Sequence, residues 1–236
     1  MPDKLAINAT YITDTHKDAF WRVSVTDDGI TQTKVLSQEQ FANTLRKGTI
    51  VRKERKAFSL GKMPFGYVDA FISSEGTYTV AVLYPKKKRG VLYYEDTYYV
   101  PYPNVLYIYS VKNGILQSKK CFAVKDADLQ KGISKGTPLY AFPFGNVSQE
   151  GSMCYGSIKY PDLRRLSSID ELVALFLNGQ VNDDLYSAKR CSTQHCKQFE
   201  LYRYLETKKT FPDKILCLAQ GINKALTFGD VFYSSN

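Results

Sequence analysis

Between residues 67 and 124 the chain strings together five strand-like runs, and this series constrains its fold more than any other feature. The runs are Tyr67–Ser73, Thr77–Tyr84, Val91–Tyr94, Val105–Val111 and Ile115–Val124. Tyrosine and β-branched residues dominate them, and such side chains fit a pleated, half-buried surface. Lys112-Asn113-Gly114 separates the last two runs. Asn-Gly accepts the positive φ angles of a tight two-residue turn, so a hairpin is expected there. Pro101 and Pro103 interrupt the pattern, and a proline offers no N–H to a ladder. Residues 100–104 therefore read as a strand entry or edge, and the whole series reads as an antiparallel meander.

The flanks set the fold class. Leu5–Ile12, Phe20–Thr26 and Ile30–Leu36 have strand composition, with a turn signal at Asp27-Asp28-Gly29. Ser37 stands at capping-box spacing from Gln40, ahead of Phe41, Ala42 and Leu45, and Gly48 ends that helix. Thr49–Met63 is basic and weakly patterned and reads as a connection. Residues 1–60 are accordingly expected to form a small β-β-β-α extension, and residues 61–236 the main domain. After the meander, Ile158–Leu166 reads as loop. Ser167 or Ser168 caps a helix through Leu177, with Ile169, Leu172, Val173, Phe176 and Leu177 as its apolar stripe. Phe199–Leu205 and Asp213–Leu226 look helical. Strands first and helices last make an α+β protein.

Charge and rare residues narrow the chemistry. The net charge of +9 calls for an acidic partner, either nucleic acid or an acidic protein face. The densest basic run, Lys86-Lys87-Lys88-Arg89, ends at Gly90 between two strand-like runs and reads as a solvated hairpin tip. Aromatics do not interleave with it, as a single-strand binding surface requires. Met1–Thr10 does not resemble a signal peptide, and no apolar run reaches the roughly 18 residues of a membrane span. A soluble cytoplasmic protein that makes no membrane contact is expected. Five cysteines, Cys121, Cys154, Cys191, Cys196 and Cys217, are then reduced thiols, one of them free to act as a nucleophile. With only His16 and His195, a His-rich metal site is excluded. Cys191, His195 and Cys196 offer three zinc ligands, with Cys217 a fourth only if the fold delivers it. No second Cys-x-x-Cys supports them, so neither metal nor cofactor is expected.

The stretch that carries chemistry runs from Thr137 to Gly156. A strand-like segment breaks at Pro143 and Gly145 into a loop, with Asn146 and then Cys154 eight residues later. Such a loop has few backbone partners, so side chains must hold it, and an Asn amide can both donate and accept. Gly151-Ser152-Met153-Cys154 closes the segment. This arrangement resembles ubiquitin-conjugating enzymes, where a His-Pro-Asn triplet and a Gly-Ser-x-Cys segment share that spacing. The helix at Leu166–Leu172 and the polar loop Asn178–Leu185, with Asp183 and Asp184, follow where that family places its post-cysteine helix and paired Asp residues. The closer resemblance is to prokaryotic ubiquitin-conjugating family D, the branch that includes protein B of the plasmid-borne PRTRC system. It is carried by Tyr84-Pro85 with Arg89, by Pro101–Val105, by Thr137–Val147 and by Cys154-Tyr155-Gly156-Ser157, and it covers roughly residues 65–190. Phe144 and Gly145 replace the His and Pro of the triplet, and the paired-Asp loop is short.

The resemblance implies a ubiquitin-conjugating-like fold with an active-site cysteine loop, and a transferase that carries a ubiquitin-like modifier as a thioester on Cys154. The implied partners are the modifier, an adenylating activating enzyme and a protein or other amine acceptor. Thiols ionise near pH 8.5, so a few per cent is thiolate at neutral pH and no His base is required. An acceptor amine, with a pKa of about 10.4, must either have that value lowered or meet a carboxylate that orients and deprotonates it, which Asp183 or Asp184 can supply. Asn146 either braces the loop or donates to the developing oxyanion. Tyr155 and Tyr160 flank the cysteine and either line the site or pack. Two other readings stay open: a non-catalytic module that binds a ubiquitin-like protein, and a plasmid-associated nucleic-acid-binding accessory protein.

Overall fold

The computed structural model describes residues 6–13, 19–27, 30–46, 62–72, 77–193, 197–222 and 224–233. By its internal contacts the chain divides into two units, Met1–Ala57 and Phe58–Asn236. The turn residues Asp28 and Gly29, Gly48, and the expected connection up to residue 61 lie outside the described residues, as do His16, His195 and Cys196.

In the first unit, β1 (Ala6–Thr13), β2 (Ala19–Asp27) and β3 (Ile30–Ser37) form an antiparallel sheet in that order, followed by α1 (Gln38–Arg46). The capping box forms as its spacing predicts. The Ser37 amide donates to Gln40 Oε1 at 3.0 Å, and the Gln40 amide donates to Ser37 Oγ at 3.2 Å. Trp21 stacks on Phe41 with centroids 4.3 Å apart and meets Tyr11 at 5.1 Å, which ties helix to sheet.

The second unit is built on a four-stranded antiparallel sheet, ordered β4 (Tyr67–Ile72), β5 (Thr77–Tyr84), β8 (Asn104–Lys112) and β9 (Ile115–Val124). The Asn113-Gly114 turn has φ of 53° and 80°, the mirror-image turn that matches strand twist. The meander is interrupted, however. Strands β6 (Lys87–Tyr93) and β7 (Asp96–Tyr102) pair with each other as a separate hairpin between β5 and β8. The pairing keeps one register: Tyr84 faces Val105 and Lys87 faces Tyr102. β5–β6 and β7–β8 are thus a single long hairpin, broken where Pro85 and Pro103 withhold their amides. The basic run is therefore not a turn. Lys87, Lys88 and Arg89 open a strand, and the tip lies at Tyr94, with φ of 51°, and Glu95. The misreading came from taking Gly90 as a turn residue when it is paired with Tyr99 in mid-strand.

Polar side chains mend the break. The Lys86 amide donates to Asn104 Oδ1 at 3.0 Å, and Asn104 Nδ2 donates to Asp126 Oδ1 at 2.7 Å. Lys86 Nζ lies 2.6 Å from Asp126 and 2.7 Å from Asp213. Lys86 and then Asn104, acting against burial, hold the Asp126 carboxyl below its ordinary range.

Both faces of the sheet are covered, which is why β8 is buried along almost its whole length. On one face, Val80, Val82, Tyr107, Tyr109 and Cys121 pack against α3 (Ser168–Asn178) and α4 (Gln198–Glu206). On the other, Leu106, Ile108 and Phe122 meet Leu139, Ala219 and α5 (Phe228–Phe232). α3 buries Ile169, Leu172, Val173 and Phe176, as its stripe predicts, although Ser167 makes no side-chain cap. The loop before α3 is pinned by buried Leu163 and Leu166. A short helix, α2 (Asp126–Leu129), follows β9. The helix expected over Asp213–Leu226 is not formed. One 3-10 turn, Asp213–Ile215, gives way to an extended segment bridged to Cys191, Tyr140 and Ala225. Backbone bonds hold it extended: the Ala141 amide donates to the Cys217 carbonyl and the Ala219 amide to the Leu139 carbonyl, both at 2.9 Å. The architecture is α+β, with antiparallel sheets and few helices.

Candidate functional site

The cysteine loop hangs from the outer edge of β9. Tyr140 and Ala123 exchange backbone hydrogen bonds at 2.8 and 2.9 Å, which lays the Thr137–Val147 segment beside the strand. Further along the same edge, the Cys121 amide donates to the Gly151 carbonyl at 2.9 Å and the Met153 amide to the Lys119 carbonyl at 3.1 Å. Gly151 has φ of 82°, and a Cβ there would lie 2.4 Å from Phe122 Cζ. Only glycine lets the loop lie so close to that ring. The Cys154 amide then donates to the Asn146 carbonyl at 2.7 Å, so the Asn and the Cys are coupled through backbone as well as spacing.

Asn146 takes φ of 60°, a left-handed conformation that Asn tolerates better than most residues. Its Nδ2 donates to the Gln180 carbonyl at 2.8 Å, so the amide braces the loop. The departures from the triplet have local reasons. Phe144 is buried and packs on Tyr102 at 4.6 Å, Tyr202 at 5.3 Å and Phe211 at 6.4 Å. A Cβ on Gly145 would stand 2.3 Å from the Asn182 carbonyl oxygen, so glycine admits the polar loop.

That polar loop is carried by the β6–β7 hairpin. The Val181 amide donates to the Leu92 carbonyl at 2.8 Å, the Tyr94 amide to the Val181 carbonyl at 3.3 Å, and Gln180 Nε2 to the Tyr94 carbonyl at 2.8 Å. The two Asp residues part company here. Tyr93 donates its phenol proton to Asp183 Oδ2 at 2.6 Å. Burial first, and then that carboxylate, raise the Tyr93 pKa. Asp184 is bonded within its own turn, receiving Asn182 Nδ2 at 2.9 Å and donating its amide to Asn182 Oδ1 at 3.1 Å.

Cys154, Asn146 and Asp184 share one cavity of about 300 Å³, with Tyr155, Leu175, Phe176 and Gln180 among its other lining residues. Asp183 does not line it. Cys154 is exposed, whereas Cys121 and Cys191 are buried and Cys217 is half-buried. Burial pushes the Cys121 thiol well up and that of Cys191, with Cys217 beside it, to about 12. The Tyr155 ring is buried, and its hydroxyl donates to the Leu172 carbonyl at 3.1 Å, so it fixes α3 under the loop while lining the cavity. Tyr160 packs edge-on against it at 5.5 Å and lines a neighbouring groove. Among the described residues no group of three or more His, Cys, Asp or Glu is placed to hold a metal ion. No helix among them is long and apolar enough to cross a membrane.

Two side chains that sequence reasoning passed over reach this region. Gln198 and Arg190 are buried and hydrogen-bond to both the Asn146 loop and the Asp184 loop. For Gln198 a signal existed: it sits on the same helical stripe as Leu201, Tyr202 and Leu205, a polar residue in an apolar position. For Arg190, in a short 3-10 turn, no pattern marks it.

No curated protein and no solved structure matches the chain. The family model for Prokaryotic E2 family D matches residues 48–218, a span that holds the cysteine loop, the Asp184 loop and the sheet beneath them, and the chain belongs to that family.

Proposed function

We propose that the protein is a cytoplasmic conjugating enzyme that accepts a ubiquitin-like modifier as a thioester on Cys154 and transfers it to an amine. The observation that carries this reading is the exposed Cys154 in a cavity it shares with Asn146 and Asp184. A buried sulfur would have favoured a non-catalytic binding module.

In the first step the Cys154 thiolate attacks the thioester carbonyl presented by an adenylating activating enzyme. A new C–S bond forms, and the activating enzyme's cysteine leaves as thiolate. In the second step an acceptor amine attacks the same carbonyl carbon. The C–N bond forms, the C–S bond breaks, and Cys154 departs with the electron pair. Asp184 takes the proton lost by the amine, because it faces the cavity while the Asp183 carboxylate is engaged by Tyr93. The Asn146 amide uses one N–H to brace the loop and has a second for the oxyanion. Loss of such a donor typically costs about 2.7–4 kcal/mol of transition-state stabilisation.

The test is incubation with the cognate activating enzyme, ATP and modifier. Wild type acquires a reductant-sensitive adduct on Cys154, and Cys154→Ala acquires none. An adduct that survives in Cys154→Ala defeats the reading. The net charge of +9 favours nucleic-acid binding as a second reading. Its test is a DNA affinity that falls steeply with salt, and negligible binding at low ionic strength sinks it.

A further inference from the structure

We propose that Arg190 and Gln198 form a clamp that sets the spacing between Asn146 and Asp184 across the Cys154 cavity. This rests on the conjugating reading above and adds positioning residues to it. The two side chains hold opposite ends of one peptide group, the one that joins Phe144 to Gly145. Arg190 Nη1 donates to the Phe144 carbonyl at 3.2 Å, and the Gly145 amide of the same peptide donates to Gln198 Oε1. Each side chain then reaches the other loop. Gln198 Nε2 donates to the Asn182 carbonyl at 3.4 Å, and Arg190 Nη2 donates to the Leu185 carbonyl at 2.5 Å. These two carbonyls bracket Asp183 and Asp184. The clamp thus fixes one peptide before the Asn and both sides of the acidic pair.

Stability does not account for the pair. Gln198 is fully buried and Arg190 is 5% exposed. Arg190 Nε has no hydrogen-bond partner. A buried guanidinium loses its hydration, and apolar residues of similar volume usually serve packing as well or better. What Arg190 and Gln198 supply instead is directional bonding between two loops that have little backbone pairing with each other. The close approach at Gly145, where no Cβ fits, leaves the loops little room to drift. Neither side chain lines the cavity, so both act through Asn146 and Asp184.

The test uses the full-length protein and a small acyl probe, the mercaptoethanesulfonate thioester of N-acetyl-diglycine. The probe acylates Cys154 by thiol exchange: a C–S bond to Cys154 forms and mercaptoethanesulfonate leaves. Mass spectrometry follows loading, and then discharge to methylamine. In Gln198→Met and Arg190→Lys the ratio of discharge rate to loading rate falls by about tenfold or more, as expected for misplaced reacting groups. Combining either with Asn146→Asp gives a loss smaller than the product of the two single effects, since part of the clamp's action runs through that amide. If both variants discharge like wild type while Asn146→Asp is slow, the clamp is overturned and the conjugating reading stands. If wild type is not acylated on Cys154, or Asn146→Asp discharges normally, the conjugating reading itself fails and takes the clamp with it. Circular dichroism and melting accompany each variant. Should Arg190→Lys lose its fold, Gln198→Met decides alone, and loss of the native fold in both overturns the proposal in favour of a structural role.

Discussion

At the scale of single residues, the site is a contest over which thiol reacts. Four described cysteines share the chain, yet only Cys154 is exposed. Burial holds Cys121 and Cys191 protonated far above neutrality, so neither competes as a nucleophile. Brief treatment with iodoacetamide at pH 8 is therefore expected to alkylate Cys154 while leaving Cys121 and Cys191 unmodified, read by peptide mass spectrometry. Equal labelling of Cys121 would mean that the β9 edge opens freely. The sequence singled out Asn146 and Cys154 by their spacing on one short loop and the acidic pair by its family resemblance, and the fold brings Asn146, Cys154 and Asp184 to one cavity. Which Asp faces the cysteine was not legible, because Tyr93, far away in the chain, decides it. The partners of Arg190 and Gln198 were hidden for the same reason: they lie in loops that only the fold brings near.

At the scale of elements, the hairpin from β5 to β8 shows what periodicity can and cannot convey. Ile115–Val124 and the Asn113-Gly114 turn are where local preference places them, because residue type alone decides both. Lys87–Arg89 is strand despite its charge, because pairing with Val100, Pro101 and Tyr102 overrides composition. The extended stretch after Ile215 is likewise set by backbone partners at Tyr140 and Cys191. The Lys86–Asn104–Asp126 network at the hairpin's break leads to a pH prediction. The folded-state pKa of Asp126 lies below its unfolded value near 3.9, so the network's contribution is full above that value. It is lost as pH falls through the lower, folded pKa. Lys86→Met is expected to destabilise the protein by about 1 kcal/mol at pH 7, discounted for the exposure of Asp126. The gap to wild type, followed by urea unfolding, should begin to narrow below about pH 4 and shrink further as pH falls through the folded pKa. A gap that persists unchanged at pH 3 would show that lost packing, not charge, is responsible.

At the scale of the whole chain, the single tryptophan separates the two units optically. Trp21 belongs to the first unit, where it stacks on Phe41. A smaller unit generally buries a lesser fraction of its surface, so the first unit is expected to be the less stable of the two. Denaturant unfolding followed by tryptophan fluorescence is therefore expected to precede the transition seen by far-ultraviolet circular dichroism, and coincident curves would mean one cooperative block. The order of synthesis gives the clamp a further meaning. Cys154 leaves the ribosome well before Gln180, Arg190 and Gln198 do, and the loop that bears it, though tied to β9, lacks its bonds to those three residues until α4 is made. A nascent or truncated chain thus carries the thiol without the groups that set its cavity. On the proposed reading, chemical competence arrives last, with the residues that close the loops, and an unfinished chain displays a sulfhydryl without that acceptor geometry around it.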